Sequence, residues 1–329
     1  MRDAAERFLA KRHPRTVARQ AGQAGEALWH DIAEQGWPAM LVPEAQGGLG
    51  LGMREAVIIA HAAGRHLLSV PLVANMVVLP SLCTDHARLQ DELAAIISGE
   101  LCHAWADNGL DRAEDAWIEG AASLRPIWRL QGADLQKFAP KPGGLGLDAT
   151  QAIARWCDQE PQFQLTLQHD EVARLIERLR LLRAAELTGA ATAALDLAVE
   201  YAREREQFGR PIGANQAVKH SLADCWMALD EASLAIEAAA DEMDEKSMRT
   251  ASGRSEDSAS AALALDMAQW LAVDGGRRAA QRAVQTHGAL GITWECDVHL
   301  YLKRVLRLAA ILEAQCGQAD LLEKVWQQH

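Results

Sequence analysis

The sequence has no cysteine arrangement that could hold a metal or staple a small fold. Its six cysteines (Cys83, Cys102, Cys157, Cys225, Cys296 and Cys316) are scattered, with no CxxC and no Cys/His pair at metal-ligand spacing. That pattern predicts no metal site and free thiols in a reducing cytoplasm. A dense lysine or arginine patch is also missing, which argues against nucleic-acid binding. The net charge of -12 favours solubility and says little more. Aromatics are scarce at 5%, although ten tryptophans outnumber two tyrosines and four phenylalanines. No apolar run is long enough to span a bilayer. The best, LLSVPLVANMVVLPSL (67–82), is cut by Pro71 and Pro80 and reads as a buried core helix. The opening MRDAAERFLAKRHPRT lacks an apolar h-region, so no signal peptide is expected there.

What is present is alanine, leucine and charge in helical patterns. The 329 residues are 49% hydrophobic and 24% charged, enough for a sizeable core in two or three domains. Val17, Ala24, Leu28 and Ile32 fall near helical spacing in a segment that ends at Gly36, a C-cap candidate. MLVPEAQGGLGLG (40–52) is a glycine-rich connection without the Lys and Ser/Thr of a P-loop. Helices are expected over about 53–64, 72–83 and 86–98. The texture changes between 99 and 170, where short alternating runs such as PQFQLTLQHD are punctuated by Gly and Pro and read as strands. From 171 onward the chain is helical again. A long helix carries Leu195, Ala198, Val199 and Ala202 on one stripe, a second covers 214–245, a third starts near 258 and a fourth covers about 295–312. DEKSMRTASGRSED (244–257) reads as a polar loop. The expected fold is mainly α, with an N-terminal helical domain (1–98), a shortened β domain (99–170) and a C-terminal four-helix bundle (171–329).

The first two bundle helices join at YAREREQFGRPIGANQAVKHSLAD (201–224). Taken alone, its charge run is a solvated helix face and Gly209 and Gly213 are turn glycines. Gly288 and Gly291 can be C-caps, and the lone His287 can be structural. Three segments in order change that balance: LWHDIAEQGWPAMLVPEAQGGLGLG, the junction itself, and AVQTHGALGITWECDVHLYLKR. Together with the helix–sheet–bundle order, they resemble the acyl-CoA dehydrogenase family over nearly the whole chain.

The resemblance implies an FAD-dependent oxidoreductase acting on CH–CH bonds, desaturating an acyl-CoA thioester. In this family a carboxylate removes the α-proton while the β-hydrogen leaves as hydride, and hydrogen bonds to the thioester carbonyl stabilise the developing enolate. It also implies FAD bound across a subunit interface. Arg205, before the Gln-Phe-Gly turn, would reach the FAD pyrophosphate of the neighbouring subunit, and a planar guanidinium suits phosphate oxygens. Gln207 and Phe208 would line the same edge, Asn215 and Gln216 would touch the cofactor at the next helix start, and Gln285, Gly288 and Ala289 would approach the adenosine half.

Two departures accompany it. The family's TEP-x-(A/S)GSD-type segment, which holds the flavin ring, has no counterpart, and LCHAWADNGLDRAEDAW stands in its place. The catalytic glutamate of the family's last loop is matched by Glu313 when aligned on Arg304 and missed by one residue when aligned on Gln285, and Ala314 replaces the glycine that follows. Glu313 is therefore a base candidate or a solvated carboxylate past a helix end. At the alternative base position, near Leu179 and Arg180, there is no carboxylate, and Glu177 lies two positions off. One arrangement accommodates both departures. The chain would be the shortened subunit of a heteromeric α2β2 enzyme of the kind found in bacteria that degrade steroid and bile-acid side chains. A larger acyl-CoA dehydrogenase-like subunit would hold the ring, and electron-transfer flavoprotein would accept electrons. The alternatives are a self-sufficient homo-oligomer using Glu313 and a non-catalytic scaffold.

Overall fold

The computed structural model describes residues 1–19, 25–83, 86–107, 117–121, 125–155, 159–251 and 258–315. The N-terminal part contains helices α1 (Arg2–Arg12), α2 (Arg15–Ala18), α3 (Gly25–Glu34), α4 (Met53–Arg65), α5 (Leu72–Cys83) and α6 (Gln90–Ile97). α5 is the apolar stretch expected to be a core helix, and Leu72, Val73, Met76, Val77 and Val78 are all buried. Gly36 takes the left-handed φ of 74° expected of it, with its N–H on Ala33 O at 2.8 Å.

Seven short strands follow: β1 (Ala104–Asp107), β2 (Trp117–Glu119), β3 (Ile127–Gln131), β4 (Asp134–Phe138), β5 (Gly144–Leu145), β6 (Ala152–Arg155) and β7 (Phe163–Thr166). They form one sheet in the order β5-β6-β2-β1-β3-β4-β7. β1 pairs antiparallel with β2 and parallel with β3. The Asn75 amide of α5 fastens this sheet to the N-terminal helices, donating to His103 O and accepting from His103 N–H at 2.8 and 2.9 Å.

The last part is the expected four-helix bundle: α7 (His169–Glu204), α8 (Gln216–Ala251), α9 (Ser258–His287) and α10 (Val298–Gln315). At the start of α7 the Gln168 N–H donates back to Glu171 Oε2 at 2.7 Å. It packs against α8, α9 and α10, and against α4. Its crossing with α4 needs glycine on both helices. A Cβ on Gly64 would stand 1.9 Å from Glu186 O, and one on Gly189 would stand 2.0 Å from His61 O.

Two boundaries differ from the sequence expectation. Helix α8 runs to Ala251, through most of the stretch read as a polar loop. The polar residues there have tertiary work that keeps them helical. The Asp244 carboxylate accepts the Met53 and Arg54 N–H groups at the start of α4, at 2.8 and 3.3 Å, and Lys246 pairs with Glu177 of α7 at 3.4 Å. Helix α10 runs to Gln315, so Glu313 lies in its last turn rather than beyond it.

A buried charge cluster locks the three parts together. Arg304 of α10 has no exposed side-chain surface. Its guanidinium donates to Asp148 Oδ2 (2.5 Å), Glu186 Oε1 (2.8 Å), Thr150 Oγ1 (2.8 Å) and Leu68 O (3.1 Å). Arg307 shares Asp148 at 3.1 Å, and both Arg307 and Arg183 lie near Glu119 at 3.6 and 3.7 Å. Burial alone would raise the Asp148 carboxyl, but Arg304 and Arg307 outweigh it and hold the group down at about 2.

Candidate cofactor-binding cleft

The junction quoted above is a β-hairpin between two bundle helices. α7 ends at Glu204, and Arg205 caps it with its N–H on Tyr201 O and its C=O accepting from Ile212 N–H, both at 2.8 Å. Strands β8 (Glu206–Gln207) and β9 (Arg210–Pro211) pair around a two-residue loop. The loop residues Phe208 and Gly209 both have positive φ, 54° and 77°. A two-residue loop with both centres left-handed is a type I′ turn, where asparagine or glycine is usual at the first position. A phenylalanine there costs about 1 kcal/mol or more. Its ring packs on nothing within the chain, being fully exposed. Strain combined with an exposed aromatic ring points to a surface that something else covers.

Beyond the hairpin, a 3-10 turn (Ile212–Ala214) leads into Asn215, which is extended and accepts the Ala217 N–H on its side chain at 3.0 Å. That is an ordinary N-cap bond. The end of α9 stands alongside, held to α7 by stacking of Tyr201 on His287 with centroids 4.4 Å apart. His287 Nδ1 lies 2.8 Å from Ala283 O, so this histidine is structural. Gly288 follows α9 with φ 62°, the left-handed C-terminal position its sequence suggested.

Between the hairpin, the start of α8 and the end of α9 lies an open cleft of about 450 Å³. Four of the residues singled out in the sequence line it: Gln207, Phe208, Asn215 and Gln285. Arg205, Gln216, Gly288 and Ala289 lie outside the lining, and the Arg205 side chain is exposed. Sequence reasoning missed Arg210, Ser221, Arg282 and Thr286, which also line the cleft. A signal for two of them was present. Arg282 and Thr286 flank Gln285 at three residues and one residue, and Arg282 shares a helix face with both. Arg210 needs the hairpin, which sets it opposite Gln207.

No carboxylate lines this cleft, and two guanidiniums do, in a chain of net charge -12. Apart from the arginines none of its side chains ionises, so the cleft can bind and orient an anion but cannot move a proton. Diphosphate oxygens, ribose hydroxyls and an adenine face are matched by the guanidiniums, the Gln/Asn amides and the Phe208 ring. The dinucleotide end of FAD therefore fits these residues.

Glu313 is not part of this cleft. The Arg277 guanidinium of α9 grips it in a two-pronged pair, with Nη2 to Oε2 at 2.5 Å. Of the stretch expected where the flavin ring would be held, residues 108–116 lie outside the described residues. Among the described residues there is no group of His, Cys, Asp and Glu placed to hold a metal ion, and no helix is long and apolar enough to cross a membrane.

Comparison with known proteins bears on the same segments. The profile "Acyl-CoA dehydrogenase, N-terminal domain" matches residues 1–100, and "Acyl-CoA dehydrogenase, C-terminal domain" matches residues 170–314. Acyl-CoA dehydrogenase IpdE2 of Mycolicibacterium smegmatis is 32% identical over 325 residues, covering 96% of this chain and 94% of that protein. The chain belongs to the acyl-CoA dehydrogenase family. Membership makes it an FAD-dependent acyl-CoA dehydrogenase by class. The family fold extends over the whole chain. The ChsE4-ChsE5 complex of Mycobacterium tuberculosis aligns with a TM-score of 0.75 at 22% identity, covering 99% of this chain and 95% of the matched one. The Tcur3481-Tcur3483 steroid ACAD, as a variant, aligns with the same TM-score at 20% identity, covering 99% and 97%. At those identities the likeness speaks for the fold alone.

Proposed function

We propose that this chain is one subunit of a heteromeric acyl-CoA dehydrogenase and that its cleft takes the pyrophosphate–adenosine end of FAD. The flavin ring and the catalytic base would belong to a larger, related subunit. The observation that carries the reading is the acid-free cleft beside the strained Phe208 turn. Gln207, Phe208, Asn215 and Gln285 would contact the cofactor from its walls, and Arg205 from the hairpin foot. Gln216 would contribute from the first turn of α8, and Gly288 and Ala289 from the backbone past α9. When bound, FAD supplies the hydride acceptor. This chain's part is to anchor the cofactor so that the ring lies in register with the thioester held next door.

Exposed apolar side chains on the two neighbouring helices support burial against another chain. Trp226, Met227 and Leu234 of α8 and Trp270 of α9 are between 43% and 62% exposed. The substrate class we assign is an acyl-CoA with a bulky group such as a steroid or bile-acid side chain. The assignment is by analogy with the heteromeric relatives the sequence resembles; a fold neighbour named a steroid ACAD illustrates the class without showing it for this chain. The acceptor would be electron-transfer flavoprotein, and the place of work the cytoplasm.

Co-purification from the native host, with flavin quantified per chain, tests this. One FAD per pair of unlike chains is expected, with Arg205→Ala lowering flavin retention. Stoichiometric FAD on this chain purified alone would contradict the heteromeric reading. The self-sufficient reading instead makes Glu313 the base, which its place in the last turn of α10 allows and its pairing with Arg277 opposes. Glu313→Gln decides between them. Full turnover supports the heteromer, whereas lost turnover with flavin retained supports the homo-oligomer.

A further inference from the structure

We propose that Arg282 and Arg210 form a two-guanidinium clamp for an organic diphosphate, with Arg282 its principal member. This rests on the reading of the cleft as the cofactor's phosphate–adenosine site. It adds two cations to Arg205, which stands outside the cleft lining.

The two side chains reach the cleft from independent elements, Arg210 from β9 and Arg282 from the last turns of α9. Neither makes an ion pair or side-chain hydrogen bond among the described residues. That sets them apart from their neighbours on the same helix. Arg277 is paired with Glu313, and Arg278 with Asp274 at 2.6 Å. α9 therefore neutralises its cations on the faces that need no ligand and leaves unmatched the one that faces the cleft. Arg282 also lies three residues before Gln285 and four before Thr286, so a guanidinium, an amide and a hydroxyl share one face.

Two like charges lining one cleft repel each other, and that repulsion turns to attraction when an anion lies between them. A diphosphate brings two negative groups, and each planar fork can take two oxygens. A carboxylate or single phosphate would leave one guanidinium unmatched. The neutral lining around them, Ser221, Thr286 and the three amides of Gln207, Asn215 and Gln285, offers hydrogen bonds without competing charge.

The test uses the assembly as purified, stripped of flavin, with ADP as probe. Arg282→Gln should weaken ADP binding about ten- to hundredfold and flatten its dependence on salt. Arg282→Lys should keep most of the salt dependence but recover only part of the affinity, because a point charge lacks the fork. Arg278→Gln removes the same formal charge four residues away and should leave ADP affinity within about twofold. Equal effects of Arg282→Gln and Arg278→Gln would overturn the clamp, since only overall charge would then matter. An unchanged Arg282→Gln together with loss of binding in Ala217→Trp, which fills the cleft, would overturn the clamp while keeping the cleft as the site. If neither substitution changes ADP or FAD affinity, the cleft is not the site, and the clamp fails with it.

Discussion

Two arginine-rich regions of this molecule differ in one respect that separates structure from binding. At the junction of helices and sheet, Arg183, Arg304 and Arg307 each meet a carboxylate out of Asp148, Glu119 and Glu186. At the cleft, Arg210 and Arg282 meet none among the described residues. A buried charge without a partner is costly, so the first region had to be completed within the chain. Exposed arginines carry no such penalty and can stay unmatched until a ligand arrives. Self-sufficiency in charge thus marks the seam as a staple, and its lack at the cleft is what the proposed receptor role rests on.

The largest effect that should follow is at the staple. Arg304→Met leaves Asp148 and Glu186 buried without their main cation and should cost about 3–5 kcal/mol of stability, read by urea unfolding of flavin-free protein. A loss under about 1 kcal/mol would mean that the cluster does not hold the parts together. The next effect is pH. Burial pushes His13 and His61 down to about 4 and His103 to about 3, from an ordinary 6.5. Groups depressed in the folded state contribute stability that is full above about 6.5 and is lost as pH falls through about 4. Asp148 adds a further loss between about 4 and 2, from its ordinary 3.8 to its folded value. No cleft side chain titrates in the upper window, so flavin release should track unfolding as the pH falls. Release well before unfolding would mean that groups outside this cleft control cofactor retention.

How much of this could be read from the sequence depends on where the information lies. Helices α7 to α10 were legible because their apolar stripes have helical period. The break between α7 and α8 was legible because Gln207-Phe208-Gly209 interrupts such a stripe with a turn; Asn215 and Gln285, named through the family resemblance, line the cleft beside it. Arg210 was hidden because its position follows from pairing with Gln207, which sequence spacing does not encode. Nothing in the sequence spacing sets Arg282 apart from Arg277 and Arg278 on the same helix. The burial of Arg304 and Arg307 is not encoded locally, since their partners come from residues 119, 148 and 186, far along the chain. The extension of α8 through a polar stretch was hidden for the same reason: Asp244 and Lys246 serve α4 and α7.

Smaller perturbations sharpen the contrast at the cleft. Gln285→Glu places a carboxylate among the proposed cofactor contacts and should weaken FAD retention about tenfold or more, while the unfolding midpoint of flavin-free protein stays unchanged. A lowered midpoint would show that Gln285 serves the fold instead. Phe208→Asn should have effects of opposite sign. Asparagine tolerates the left-handed turn position, so flavin-free protein should gain about 0.5–1 kcal/mol, while FAD retention falls with the loss of the ring. A variant that gains stability and keeps its flavin would mean that the exposed ring covers no ligand.

The most direct measurement is the structure of the FAD-loaded assembly. The diphosphate should lie between Arg210 and Arg282 of this chain, with the isoalloxazine ring seated against a different polypeptide. A cofactor held end to end by one chain, or this cleft left bare in the loaded enzyme, would contradict the account.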